Sequence, residues 1–272
     1  MDWVILVIIG FFGGTIGSLV GLGGGIIVVP SLLLFSYYTP FFPSLSPQII
    51  VGISIIILIV TGLSSTLAYL KQKKVDVYSG IIFFIGSGPG AYIGALINKT
   101  ISFQGFSIYF GGFMIFISLL LMIRGHLKPL KLSIGKVHSF KDEEGREYTY
   151  RYSAVLAVFI AFFVGVLSGL FGIGGGSLMV PVMLLLFGFP TSVAIATSMF
   201  LVFLSALVGS IAHIRLGNVH WLYVCALIPG AWFGGKFGAY LNEKLADDTV
   251  VKILRGLLML VGVRLIWQGF MN

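Results

Sequence analysis

The sequence reads "GLGGGIIVVP" at residues 21–30 and "GIGGGSLMVP" at residues 172–181. Each phrase sits inside a long apolar run. Inside a helix, glycine costs about 1 kcal/mol relative to alanine, and proline about 3 kcal/mol. A chain that sets three consecutive glycines and a proline at the same spacing twice is specifying two helix breaks. The phrases are also the centre of an internal repeat. Residues 11–34 and 162–185, offset by 151, match at 12 of 24 positions without a gap. Downstream, "AYLKQKKVD" at 68–76 aligns with "AHIRLGNVH" at 212–220, which pairs Tyr69 with His213. "PGAYIGA" at 89–95 aligns with "PGAWFGG" at 229–235.

The surrounding composition excludes a water-soluble domain. The 272 residues are 58% hydrophobic and 10% charged, with a mean hydropathy of +1.07. Soluble domains carry about 25% charged residues. About 20 apolar residues cross a hydrocarbon core of ~30 Å, and the runs here reach that length. They are continuous rather than alternating, which argues against a β-barrel. The expected fold is an all-α polytopic membrane protein with about 8–10 membrane segments. In the first half, apolar stretches at 3–20 and 25–38 flank the glycine run, followed by helices at 47–70, 77–98 and 103–124. The second half repeats this at 153–171, 176–188, 191–214, 219–241 and 250–270. The domain plan is a first transmembrane repeat at 1–125, a polar loop at 126–152, and a second repeat at 153–272. The loop reads as a connector with a small hairpin around "EEG". The run at 3–12 continues into glycine-rich sequence without an A-x-A-like cleavage site, so it reads as a mature helix rather than a signal peptide.

The formal charge is +8, from 17 Lys+Arg against 9 Asp+Glu. No basic domain presents that charge, so nucleic-acid binding is excluded as a reading. Basic residues mark cytoplasmic loops instead. Lys71, Lys73 and Lys74 follow the third stretch, and Lys128, Lys131, Lys136, Lys141, Arg146 and Arg151 lie in the central loop. With both on the cytoplasmic side of the cell membrane, helices 77–98 and 103–124 cross out and back. The two repeats are then inverted relative to one another, with both termini outside.

In a bilayer, unwound backbone is tolerated only where it is buried in protein or lines a watery cavity. Secondary transporters place such breaks at equivalent positions of inverted repeats and bind substrate between them. A helix restarting after glycines offers free N–H groups and the positive end of its dipole, an anion site without a cation. The candidate substrate-binding residues are therefore Gly23, Gly24 and Gly25 and their counterparts Gly174, Gly175 and Gly176. Pro30 and Pro181 are expected to kink or shorten the restarted helices. Hydroxyls deep in the apolar runs add Ser54, aligned with Ser198, and the neighbouring Thr197. Further hydroxyls stand at Ser18, Ser168, Ser64, Ser65 and Ser205. His213, near a helix end, reads as an interfacial residue or a proton-coupling group. Close helix packing explains the glycines of "GAYIGA" and "GAWFGGKFGA", but three glycines in a row suit a break better.

No Asp or Glu stands mid-helix, which argues against carboxylate-based cation relays and suits an anion path. No catalytic set and no metal-ligand cluster occurs, so the reading is a non-enzyme without cofactor or metal. The single cysteine, Cys225, permits no internal disulfide and reads as a small packing residue.

The doubled G-x-G-G-G-x-x-x-x-P, at Gly21–Pro30 and Gly172–Pro181, resembles the TauE/SafE sulfite exporter family. The "IATS" and "PGAxxG" segments and the central polar loop fit the same family. The resemblance implies transport of a small oxidised-sulfur anion, sulfite or an organosulfonate, across the cytoplasmic membrane. Alternating access between the repeats, with proton coupling, is one mechanism. An uncoupled anion channel is the alternative. The first repeat departs from the second at Ile53, which stands where the second has Thr197. A related thiosulfate group relies on several cysteines, a mechanism that a single Cys225 does not support.

Overall fold

The computed structural model describes residues 2–38, 45–123, 136–141, 147–244 and 247–271. Among these residues the protein is all-α apart from one hairpin. In chain order the elements are α1 (Asp2–Val20), α2 (Gly25–Tyr38), α3 (Pro47–Lys71), α4 (Val77–Asn98) and α5 (Phe103–Ile123). The hairpin β1 (Lys136–Lys141) and β2 (Glu147–Tyr152) follows. The second half runs α6 (Ala154–Phe171), α7 (Gly176–Leu185), α8 (Thr191–Arg215), α9 (Trp221–Lys244) and α10 (Asp247–Met271). Each half thus has a helix, a break of four residues, a short helix and three more helices. Lys128, Lys131, Arg146 and the "EEG" segment lie outside the described residues; the antiparallel strands β1 and β2 pair Lys136 with Tyr152 and Lys141 with Glu147.

Local chemistry sets the helix ends. Ser46 caps α3 by accepting from the Ile49 amide at 3.4 Å, and Pro47 occupies the first turn, where its missing N–H costs nothing. Asp76 caps α4 through the Ser79 amide at 3.1 Å. Gly172 ends α6 in the left-handed conformation (φ 68, ψ 29). The sequence reading carried the seventh helix to residue 188, but α7 stops at Leu185. Gly188 takes φ 71, and Pro190 holds extended backbone (φ −62, ψ 147). Pro30 does not shorten α2, which continues through it to Tyr38.

Five helices among the described residues are long and apolar enough to cross a membrane: Trp3–Val20, Pro47–Lys71, Val77–Asn98, Ala154–Phe171 and Thr191–Arg215. Their outward faces carry bare apolar side chains such as Phe12, Ile85, Phe159 and Ile211. A soluble protein keeps such patches small; in a multi-pass membrane protein they face lipid. Cys225 lies exposed on α9 and not in the core, contrary to its expected packing role.

The halves interleave. The first helix of each packs along the fourth helix of the other, α1 on α9 and α6 on α4, while α3 packs on α8 and α5 on α10. Glycines make the first two contacts backbone-on-backbone. A Cβ on Gly86, Gly90 or Gly94 of α4 would come within 2.0–2.2 Å of the Val158, Phe162 or Val166 carbonyl oxygen of α6. A Cβ on Gly230, Gly234 or Gly238 of α9 would come within 2.0–2.3 Å of the Val7, Phe11 or Thr15 carbonyl oxygen of α1. Small residues permit this approach where no hydrophobic effect drives helices together. Gly94→Ala is accordingly expected to destabilise the fold by about 1–3 kcal/mol, the usual cost of overpacking. Gly112→Ala, inside α5 where a Cβ meets nothing within 4 Å, is expected to raise stability by up to about 1 kcal/mol. Thermal unfolding of the two variants in detergent checks the contrast.

Candidate functional site

The two glycine runs unwind the chain in the same way. Gly21 and Gly23 take φ 76 and 72, and Gly172 and Gly174 take φ 68 and 79, conformations that L-residues other than glycine rarely hold. In the first break the Leu22 and Gly23 amides fold back to the Gly17 carbonyl at 2.9 and 3.2 Å. The two breaks then lie against each other. A Cβ on Gly25 would stand 2.0 Å from the Gly172 carbonyl oxygen, and one on Gly176 would stand 2.1 Å from that of Gly21. Leu58 of α3 and Val202 of α8 approach both Gly23 and Gly174. The third glycine of each run therefore permits the crossing itself.

Unwinding strands carbonyls that α1 and α6 would otherwise bond internally, and buried side chains supply their partners in matched pairs. Ser54 Oγ donates to the Gly172 carbonyl at 2.6 Å, and Ser198 Oγ donates to that of Gly21 at 2.7 Å. Asn98 Nδ2 donates to the Leu170 carbonyl at 2.8 Å, and Asn242 Nδ2 donates to that of Leu19 at 2.7 Å. Tyr69 OH donates to the Ser18 carbonyl at 2.9 Å. His213 Nε2 stands 3.2 Å from the Gly169 carbonyl. A carbonyl only accepts, so Nε2 carries the proton, while Nδ1 lies 3.5 Å from the Asn218 amide nitrogen. The serine and asparagine pairs reach across from one half to the other. His213 and Tyr69 are both fully buried, so the interfacial reading of His213 is corrected: it caps a broken helix.

The donor side is different. Ile27 and Val28 donate to the Gly24 carbonyl, and Met179 donates to that of Gly175. The amides ahead of those bonds, on Gly25, Ile26 and Gly176, belong to first turns that have no intrahelical acceptor. Gly24 and Gly175 have no side chain with which to cap them. Gly25, Ile26 and Gly176 are all buried.

Of the sequence-expected set, the structure brings together Gly23, Gly24, Gly25, Gly174, Gly175, Gly176, Ser54 and Ser198. Ser54 donates its hydroxyl proton to a carbonyl of the opposite break, and Ser198 shares its proton between the Gly21 carbonyl and that of Ile195 in its own helix, each at 2.7 Å. Thr197 is engaged elsewhere, its Oγ1 accepting from the Asp76 amide at 3.0 Å. Sequence reasoning missed Asn98 and Asn242. Their signal is an offset of 144, shared with Ser54/Ser198 and Tyr69/His213. The "PGA" alignment at offset 140 concealed it, because α9 carries one more helical turn after the proline.

Asp76 also anchors the hairpin. Its carboxylate accepts from Tyr150 OH and Ser79 Oγ, and Ser79 Oγ lies 2.7 Å from Tyr152 OH. Since Ser79 donates to Asp76, Tyr152 donates to Ser79. Tyr150 stacks on Phe189 at 3.8 Å between centroids, and His138 stacks on Tyr152 at 4.5 Å. Burial first, then the Asp76 hydrogen bond and charge, raise the Tyr150 hydroxyl well above its ordinary pKa. Burial chiefly pushes Tyr152 up to about 12.

The family model described as "Sulfite exporter TauE/SafE" matches residues 6–265. The chain belongs to the TauE/SafE family. Among TauE/SafE relatives and other similar proteins, the "Probable membrane transporter protein YunE" of Bacillus subtilis is 54% identical over the whole of both chains. A "Probable membrane transporter protein" of Xylella fastidiosa is 28% identical over 95% of this chain and 94% of its own. "Sulfite exporter TauE/SafE family protein 6" of Arabidopsis thaliana is 30% identical over 44% of this chain and 29% of its own. No solved structure matches. This TauE/SafE chain is a multi-pass membrane protein of a transporter family.

Two outcomes test the geometry. Ser54→Ala and Ser198→Ala each leave a buried carbonyl without its side-chain partner and are expected to cost about 1–3 kcal/mol in unfolding measurements. The hairpin has its own pH dependence. Tyr150 and Tyr152 keep their protons in the docked state above pH ~10, where a free tyrosine ionises. Docking is therefore fully present below pH ~10 and is lost as pH rises through the raised values. Limited proteolysis of the hairpin is expected to accelerate between pH 10 and 12, and less so in Tyr152→Phe.

Proposed function

We propose that this protein is a secondary transporter for a small oxidised-sulfur anion, sulfite or an organosulfonate, in the cytoplasmic membrane. The anion is held between the two crossing breaks near the bilayer midplane. The observation that carries this reading is the imbalance at the crossing: the stranded carbonyls have side-chain caps, while the first-turn amides of Gly25, Ile26 and Gly176 follow Gly24 and Gly175, which have no side chain to cap them. A buried donor without an acceptor costs about 1–3 kcal/mol, and an oxyanion between the breaks supplies acceptors to both helix starts at once. The helix dipoles add favourable potential for negative charge. Ser54 and Ser198 position the breaks, and Gly23, Gly24, Gly174 and Gly175 shape the backbone that approaches the anion. The TauE/SafE membership supports the substrate class.

The halves 1–125 and 153–272 act as inverted repeats that rock against each other, with the loop 126–152 cytoplasmic. Alternating access of this kind needs a driving gradient, and a proton gradient is the one proposed. An uncoupled anion channel is the second reading. It is favoured by the absence of any acidic side chain in the interior of the apolar helices.

Purified protein in liposomes tests both. Saturable sulfite flux that moves uphill under an imposed pH gradient is the expected result, and strictly downhill flux selects the channel. Absence of sulfite, sulfoacetate and thiosulfate flux overturns the proposal. In Gly175→Val, flux is expected to fall while the fold persists, because a Cβ there meets its nearest atom at 3.6 Å.

A further inference from the structure

The third helix of each half carries hydroxyls, and the halves treat them differently. In α8, Ser205 donates to the Leu201 carbonyl of its own helix at 2.8 Å, and Ser210 donates to that of Leu207 at 2.8 Å. This is the ordinary fate of a hydroxyl in a membrane helix. At offset 144 their counterparts in α3 are Thr61 and Thr66, and neither hydroxyl has a hydrogen-bond partner. On α1, Thr15 and Ser18 also have unpartnered hydroxyls. Thr15, Ser18 and Thr61 are 7%, 0% and 0% exposed.

The helices that carry Thr15, Ser18 and Thr61 meet on α9, where Ser64 Oγ donates to the Trp232 carbonyl at 2.6 Å and Ser65 Oγ donates to that of Gly235 at 3.3 Å. Ser64 Oγ, Ser65 Oγ and the Thr61 carbonyl oxygen all lie 3.1 Å from where a Cβ on Gly235 of α9 would stand. The Thr15 carbonyl and Ser18 Cβ flank the equivalent position on Gly238, one turn along α9. The mirrored seam of the second half is poorer in hydroxyls, with an unpartnered one at Ser87 of α4, packed on Gly165 of α6. At the corresponding positions the second half has Val166, Gly169, Val208 and Gly209 in place of Thr15, Ser18, Ser64 and Ser65, and it packs α6, α8 and α4 in the same way.

The seam is held shut by the Ser64 and Ser65 hydrogen bonds and encloses three buried hydroxyls, of Thr15, Ser18 and Thr61, that gain a partner when water enters. The seam runs from the first break toward the end of α3 that carries Lys71, Lys73 and Lys74, a basic mouth that draws anions. We infer that the α1–α3–α9 seam is a gated aqueous path for the substrate, closed in this structure. Its wall is formed by Thr15, Ser18, Thr61, Ser64 and Ser65, and α9 is the part that separates. The inference rests on the transport reading and adds which interface opens and which side chains the anion passes.

Thiol accessibility tests it. In a Cys225→Ser background, Ser18→Cys, Thr61→Cys and Ser65→Cys are reconstituted in liposomes and exposed to a membrane-impermeant, negatively charged thiol reagent. Ser205→Cys and Ser210→Cys are the matched controls. The seam thiols are expected to react about tenfold faster than the controls, because thiol reactivity follows access. Equal reaction of the seam and control thiols, or no reaction at the seam, overturns the inference. Sulfite flux measured in the same vesicles keeps the two claims apart. Seam labelling without flux removes the sulfite reading and leaves the gated path, whereas flux without seam labelling removes the path and leaves the reading.

Discussion

A backbone carbonyl in the middle of a membrane protein must find a donor, because lipid supplies none. This chain interrupts two helices deep in its apolar core, and everything around the interruptions answers that constraint. Ser54 and Asn98 of the first half cap carbonyls of the second half's break, and Ser198 and Asn242 return the service. Tyr69 and His213 cap a third carbonyl within each half. Neither break is therefore satisfied by its own half alone. The glycine contacts of α1 with α9 and of α4 with α6 bring the asparagines into reach.

The caps are one-sided. Nature has supplied side chains for the acceptors of the breaks and only glycines at the starts of α2 and α7. That asymmetry connects architecture to the proposed function, since the starts of both restarted helices lie where the two breaks cross. A second imbalance lies between the halves. Ser205 and Ser210 of α8 bond back to their own helix, while their counterparts Thr61 and Thr66 of α3, and Thr15 and Ser18 of α1, have unpartnered hydroxyls. The crossing and the seam adjoin each other at the first break.

Much of this was legible in the sequence. Twin glycine runs at a fixed offset gave the breaks, and α2 through α4 begin and end within a residue of the expected positions. The family resemblance rested on the same residues and was confirmed over nearly the whole chain. The length of α7 was misjudged because an apolar run continues past Leu185, and only the φ of Gly188 shows where the helix ends. The roles of the polar residues were harder to read. A serine in an apolar helix gives no sign of whether it faces a substrate or a carbonyl 118 residues away. Asn98 and Asn242 were hidden by the extra turn of α9. Thr197 looked like a partner of Ser198, yet adjacent helix residues point about 100° apart, and its hydroxyl meets the start of α4.

Hydrogen–deuterium exchange of the purified protein, with and without sulfite, tests the central claim most directly. Sulfite bound between the breaks is expected to slow exchange at the amides of Gly25, Ile26 and Gly176 while leaving the capped segments at 17–21 and 168–172 unchanged. Sulfite binding that leaves those three amides exchanging at their original rate would contradict the claim that the two restarted helices hold the anion.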